Sequence, residues 1–234
     1  MKSSAFSPKT IYTILLVVLA LDVLMVVLHL SLGQQYNLVN IDLERNLPTL
    51  YQVFKLITIT SIVAAIIALL HYSGRLTKQA KWLLWPYWFG FAYIGLDELG
   101  EIHERFGDAI KYSEGWLGSY GQLWANLGFT SAWWLAFFTP IFVVGLFYVW
   151  HLIKWLHKQQ TGKIHWLMIG IACFGLVIGV ELWNTAEFSY EYTFLQRNLL
   201  VTLEEFLELL GASFLLIFNL FLYRHFEKTK LTRK

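Results

Sequence analysis

Residues 82–107 form the sequence WLLWPYWFGFAYIGLDELGEIHERFG, in which an apolar run is followed by a group of ionisable side chains. The apolar run is about twenty residues long, enough for a helix to cross a hydrocarbon core of about 30 Å. Carboxylates at the end of such a run are costly in a bilayer, so they are usually placed for a functional reason. We therefore interpret this stretch as a membrane span that carries part of a site.

Six apolar runs along the chain are long enough to be membrane helices. Hydrophobic residues make up 57% of the sequence and charged residues only 15%, a composition typical of integral membrane proteins. The predicted spans are residues 11–32, 50–72, 82–104, 131–156, 164–183 and 199–223. We expect a single all-α domain over residues 1–234, folded as a polytopic helical bundle in the cell membrane.

The basic residues predict how the bundle is oriented. Lysine and arginine cluster at the N-terminus, between spans two and three, between spans four and five, and at the C-terminus, all on one face of the membrane. The positive-inside rule makes that face cytoplasmic, with both termini inside. The net charge is only +2, which gives no overall basic field, so no nucleic-acid partner is expected.

Acidic residues concentrate in the outer half of the predicted spans. With a rise of about 1.5 Å per residue, Asp97 lies about 22 Å above the inner boundary and Glu208 about 16 Å. Residues three and four apart share one helix face, so spans three and six each present a carboxylate face. The two faces consist of Asp97, Glu98 and Glu101 on span three and of Glu204, Glu205 and Glu208 on span six.

Other spans place polar groups at a similar depth. Asp22 and His29 are seven residues apart on span one and so lie on one face, and Glu181 lies in the outer part of span five. Lys55 on span two is the buried cation that could join Asp22 and His29. For Asp22 and Glu181, an ordinary interhelical hydrogen bond is an equally good explanation.

Several carboxylates at one depth must be protonated, paired with cations or bound to metal. Oxygen ligands together with imidazole suit a divalent ion such as iron, manganese or zinc. The predicted metal ligands are Glu98, Glu101, His103, Glu205 and Glu208, supported by Asp97, Glu104, Glu181, Glu204, Asp22 and His29. No catalytic residue and no organic cofactor is predicted.

His103 does not fit this site on a straight helix. It would project roughly opposite to Glu101, because successive helical residues turn by about 100°. A metal site that includes His103 therefore predicts a break in span three near Gly100, and the alternative is that His103 faces another partner.

Three segments together resemble an uncharacterised family of bacterial multi-pass membrane proteins. These segments are GLDELGEIHER, LEEFLELLGA and NIDLERNLP, and they contain the patterns DE-x4-HE and EE-x2-E-x2-G. The residues to which the resemblance points are Asp97, Glu98, His103, Glu104, Glu205, Glu208 and Gly211. It implies a bacterial inner-membrane location but no particular activity.

Three functions fit these observations. The first is a metal-dependent membrane enzyme that acts from the periplasmic or extracellular side on a lipid or another membrane-soluble substrate. The second is a cation or proton transporter that uses the same acids, although the inner halves of the spans offer few polar residues for an onward route. The third is a structural or assembly protein whose charges hold helices together.

Overall fold

The described part of the protein contains six long α-helices and two short helical segments. The computed structural model describes residues 6–33, 35–41, 43, 45–102, 105, 106, 109, 115, 119, 122, 133–159, 161–185 and 193–231. The long helices are α1 (Pro8–Leu28), α2 (Leu47–Tyr72), α3 (Lys78–Gly100), α4 (Trp133–Lys158), α5 (Ile164–Thr185) and α6 (Phe194–Leu231). A π-helix, His29–Gly33, continues α1, and a 3-10 turn, Asn37–Val39, follows it.

The predicted membrane spans agree with the helices in number and order. Five helices are long and apolar enough to cross a membrane, at Pro8–Gly33, Leu47–Tyr72, Pro140–Lys158, Ile164–Trp183 and Asn198–Thr229. The protein is therefore a multi-pass membrane protein of the all-α class. The sixth helix, α3, is rich in Trp and Tyr and less apolar, and its passage through the membrane stays a prediction.

Three helix starts are fixed by side chains that satisfy free backbone N–H groups. Ser7 accepts a hydrogen bond from Thr10, Asn46 from Thr49, and Thr77 from Ala80, each at the start of its helix. At α2 the cap Asn46 is followed by Pro48 in the first turn, where the missing N–H of proline leaves no helical hydrogen bond unmade.

Several predicted boundaries differ from the ends of the helices by a few residues, and two of these differences involve charged segments. The third span was expected to end at Glu104, but α3 ends at Gly100 because Glu101 adopts a left-handed backbone conformation with φ of 53°. The sixth span was expected to end at Tyr223, but α6 continues to Leu231. The charged residues after Tyr223 end the apolar run without ending the helix.

Helix α6 lies at the centre of the bundle. Within its apolar span 67% of the residues are buried, against 17–44% in the other four candidate spans. It contacts α1, α2 and α5, while α2 also packs against α3. The main core is formed by apolar side chains of these helices, among them Leu56, Ile59, Leu83, Ile217 and Phe218.

The basic segments meet at one end of this bundle. Lys163, between α4 and α5, donates a hydrogen bond to the Tyr12 hydroxyl at 3.2 Å, and Arg75, between α2 and α3, donates to Thr229 at 2.8 Å. These contacts bring the start of α1 and the end of α6 beside both loops. These contacts agree with the predicted clustering of basic residues on one face, which stays a prediction together with its assignment to the cytoplasm.

Helices α5 and α6 approach closely because Gly170 has no side chain. A Cβ atom at this position would lie 2.6 Å from Leu215 Cγ and 3.1 Å from the Gly211 carbonyl oxygen. Small residues permit such close packing between membrane helices.

We predict that Gly170→Ala lowers the free energy of unfolding by about 1–3 kcal/mol, because the added methyl group overpacks the contact with α6. Gly175→Ala on the same helix is the matched control, since a Cβ there has no neighbour within 4 Å. Unfolding of the detergent-purified proteins measures the difference. Equal stability of the two variants would show that α5 and α6 do not pack as described.

A candidate cation-binding site around a buried ion pair

The most deeply buried charges in the described part of the protein form an ion pair between α1 and α2. Lys55 is 1% exposed and Asp22 is 0% exposed. Lys55 Nζ lies 2.9 Å from Asp22 Oδ1. Because two charges removed from water need each other and further hydrogen bonds, the surrounding polar groups decide whether such a pair is stable.

Helix α6 supplies those groups. Lys55 Nζ donates to the Leu209 carbonyl oxygen at 2.8 Å and to Ser213 Oγ at 3.3 Å. Ser213 Oγ in turn donates to Asp22 Oδ2 at 2.7 Å. All three donors of the ammonium and both oxygens of the carboxylate are therefore satisfied, and the pair joins α1, α2 and α6.

Two residues of the first turns of α2 extend this network. The ammonium of Lys55 lies 4.5 Å from the centroid of the Tyr51 ring, a cation–π contact, and the Tyr51 hydroxyl donates to the Val18 carbonyl oxygen at 3.0 Å. Gln52 Nε2 donates to the Glu208 carbonyl oxygen at 3.2 Å. The start of α2 is thus held against both α1 and α6.

Two glutamates lie on helices that surround this pair. Glu208 directly precedes Leu209, whose carbonyl oxygen accepts a hydrogen bond from Lys55, and Glu98 is on α3, which packs against α2. Both are half-buried, as are Asp97, Glu204 and Glu205. The predicted pairing of the α3 and α6 carboxylate faces stays a prediction.

Glu101 has a different environment from the one predicted. Its Oε1 lies 3.2 Å from Arg45 Nη2 and its Oε2 lies 3.4 Å from Arg105 Nη2. Both carboxylate oxygens thus face arginines, which would compete with a metal ion. The cause is the end of α3 at Gly100, which releases Glu101 from the helix face of Asp97 and Glu98.

His29 is buried away from solvent where α1 becomes a π-helix. Its Nδ1 accepts a hydrogen bond from the Ile41 backbone N–H at 3.1 Å, so Nε2 carries the proton in the neutral ring. Nε2 is buried and has no hydrogen-bond partner among the described residues. A Cβ at Gly33 would lie 2.6 Å from Nδ1, so the π-helix closes tightly around the ring. His29 therefore stabilises the segment between α1 and α2 through its hydrogen bond with Ile41.

The remaining predicted site residues are distributed as follows. Glu181 is half-buried near the end of α5. His103 and Glu104 lie outside the described residues. No group of three or more His, Cys, Asp or Glu side chains suited to hold a metal ion occurs among the residues that the structure describes. The metal site stays a prediction.

Two functional neighbours of Lys55 were missed by the sequence analysis. Tyr51 lies four residues before Lys55 and therefore on the same helix face, a spacing that could have revealed it. Ser213 interrupts the apolar run LLGASFLLIF, which marks it as polar but does not identify its partner. The Leu209 carbonyl has no sequence signal, since every residue carries one.

A comparison with known proteins assigns the chain to one protein family. Residues 10–222 match the model of a family described as Domain of unknown function (DUF8692). The chain belongs to this family. Membership agrees with the predicted resemblance to an uncharacterised membrane-protein family over most of the chain, and the bacterial source stays a prediction. Neither the curated proteins nor the solved structures gave a match.

We predict that Lys55→Met lowers the free energy of unfolding by about 3–5 kcal/mol, because it leaves the buried Asp22 carboxylate without a counter-charge. Adding Asp22→Asn should restore part of the loss, which a double-mutant cycle in detergent would measure. Lys81→Met, at an exposed lysine, is the control and should change stability by less than about 0.5 kcal/mol. A Lys55→Met protein as stable as this control would contradict the buried pair.

Proposed function

We propose that the protein is a cation transporter that accepts a proton at the carboxylates beside the Asp22–Lys55 pair. The observation that carries this proposal is that Leu209, the residue directly after Glu208, accepts a hydrogen bond from an ammonium that is already paired with the Asp22 carboxylate, so the Glu208 backbone lies beside the pair. Buried or half-buried carboxylates in such a setting favour binding a proton or another cation.

The charge distribution of the chain supports this proposal. In the sequence, every Asp and Glu except Glu227 falls in segments that approach or connect the acidic end of the bundle. The ion pairs described at that end join Lys55 to Asp22, and Arg45 and Arg105 to Glu101. A cation that enters this end would meet a region rich in carboxylates, which attract positive charge.

The difference in burial between the acids suggests an order of events. Glu98, Glu205 and Glu208 are half-buried, whereas Asp22 and Lys55 are fully buried behind them. A proton arriving at the acidic end would meet the glutamates first. A protonated Glu208 is neutral, which would leave Asp22 as the counter-charge of Lys55.

Buried polar groups continue from the pair toward the basic end. Ser213 is followed on α6 by Asn219, about 9 Å further along the helix. Asn219 is 0% exposed and donates to the Tyr87 hydroxyl at 3.0 Å, and its Oδ1 has no hydrogen-bond partner among the described residues. Thr58 and Thr60 instead bond to carbonyl groups of their own helix. We therefore place the onward route along α6.

A proton is favoured over a metal ion for a chemical reason. A carboxyl group takes a proton without further ligands, whereas iron, manganese or zinc needs several ligands at fixed distances. The Arg45 and Arg105 contacts of Glu101 disfavour its use as one of those ligands.

We predict that reconstituted protein carries protons into liposomes down an imposed pH gradient, and that Glu208→Gln abolishes this flux. A trapped pH-sensitive dye measures the rate, and protein-free liposomes give the background. Glu227→Gln, on the same helix at the opposite end, should retain the wild-type rate. Size-exclusion profiles show whether each variant is folded. A wild-type rate equal to the background would refute proton transport.

A metal-dependent membrane enzyme is the second candidate, favoured by the end of α3. The predicted metal site required a helix break near Gly100, and α3 ends there with Glu101 in the left-handed region. Such a break would allow His103 to turn toward Glu98, with Glu205 and Glu208 supplied by α6. A metal bound there would activate a water molecule or polarise a lipid ester.

Metal analysis of the detergent-purified protein tests this candidate. Stoichiometric iron, manganese or zinc that is lost in a Glu205→Gln and Glu208→Gln double variant, and in His103→Gln, would support the enzyme. Metal-free protein would refute it. If proton flux is also absent while the variants only lose stability, the carboxylates have a structural role.

A further inference from the structure

The end of the bundle opposite to the acidic site contains a cavity of about 430 Å³. It is formed by the start of α1, the connection between α4 and α5, and the last turns of α6. Its lining includes four groups that are or can become cationic, and the lining contains no Asp or Glu. These four groups are Lys163, Arg224, His225 and Lys228.

The lysines and the arginine surround the cavity from two directions. Lys163 lies in the connection between α4 and α5, directly after Gly162, whose φ is 62°. Arg224 and Lys228 lie one helical turn apart on α6. Positive charges that converge on one space repel each other unless an anion lies between them. The arrangement therefore favours an anionic ligand.

One hydrogen-bond donor in this lining is unsatisfied. Arg224 Nε is buried and has no acceptor among the described residues. A buried N–H without an acceptor costs free energy, and a ligand oxygen would remove that cost. Guanidinium groups bind phosphate or carboxylate oxygens with two parallel hydrogen bonds, and phosphate has further oxygens that Lys163 and Lys228 can bind at the same time.

The lining also contains apolar surface. Pro8 and the rings of Tyr12 and Phe221 contribute it, with Lys163 Nζ 5.6 Å from the centroid of the Phe221 ring. The cavity thus combines basic groups with apolar surface. It lies among the basic segments at the ends of the spans, where the headgroups of a bilayer are expected.

We propose that this cavity binds a phosphate group, either in the headgroup of an acidic phospholipid or as free inorganic phosphate. Lys163, Arg224 and Lys228 bind the phosphate oxygens. Tyr12 and Phe221 contact the glycerol and the first carbons of a lipid. This site is separate from the proposed cation transport and does not depend on it.

The test uses full-length protein in a neutral detergent and three probes: phosphatidylglycerol, phosphatidylcholine and inorganic phosphate. Native mass spectrometry and thermal unfolding measure binding. We expect phosphatidylglycerol to bind and stabilise the protein more than phosphatidylcholine if the ligand is a lipid. If inorganic phosphate alone stabilises the protein and displaces phosphatidylglycerol, the ligand is free phosphate. Binding of none of the anionic probes would overturn the proposal.

Variants distinguish binding in this cavity from nonspecific attraction of anions to the other basic residues at the same end of the bundle. Arg224→Gln and Lys163→Gln should each weaken binding about fivefold, the effect of one basic residue at an anionic surface. Lys228→Gln, at an exposed position, gives the same readout if Arg224→Gln does not fold. Lys158→Gln removes an exposed charge of α4 outside the lining and should bind as the wild type does. An equal loss in Lys158→Gln would refute a defined site.

Discussion

A lysine ammonium buried inside a membrane bundle requires a counter-charge and hydrogen-bond acceptors from the protein itself. Lys55 obtains the counter-charge from α1 and acceptors from α6 and α1, through Asp22, Leu209 and Ser213. The relative position of three helices is therefore set by one charged group as well as by apolar packing. Helix α6 can occupy the centre of the bundle because it also offers Gly211, against which α5 packs with the ring of Phe174.

The same interaction explains where the candidate site lies. Glu208 immediately precedes Leu209, whose carbonyl oxygen binds Lys55, so the ion pair holds that carboxylate at its edge. Glu98 is on α3, which packs against α2. Both helices that carry the predicted carboxylate faces are thus joined to α2, α3 by packing and α6 also through Lys55.

Much of this arrangement could be predicted from the sequence, because hydrophobic length and charge position determine it. The order of the helices, the basic end and the meeting of Asp22 with Lys55 follow from span lengths, loop charges and depth. The partners of Lys55 on α6 could not be predicted, since a backbone carbonyl and a serine hydroxyl carry no signal of their target. Glu101 was assigned to the carboxylate face because a continuous helix was assumed, and its pairing with Arg45 depends on the backbone turn at that residue.

Solid-state NMR of the protein in lipid bilayers tests the ion pair between Asp22 and Lys55 most directly. Nitrogen-15 in the lysine side chains and carbon-13 in the aspartate carboxyls allow the dipolar coupling between Lys55 Nζ and the Asp22 carboxyl carbon to be measured. With Nζ and Oδ1 2.9 Å apart, a strong coupling is predicted, and it should disappear in Lys55→Met. A wild-type protein with no such coupling would contradict the account, since α1, α2 and α6 would then not be joined by this charge.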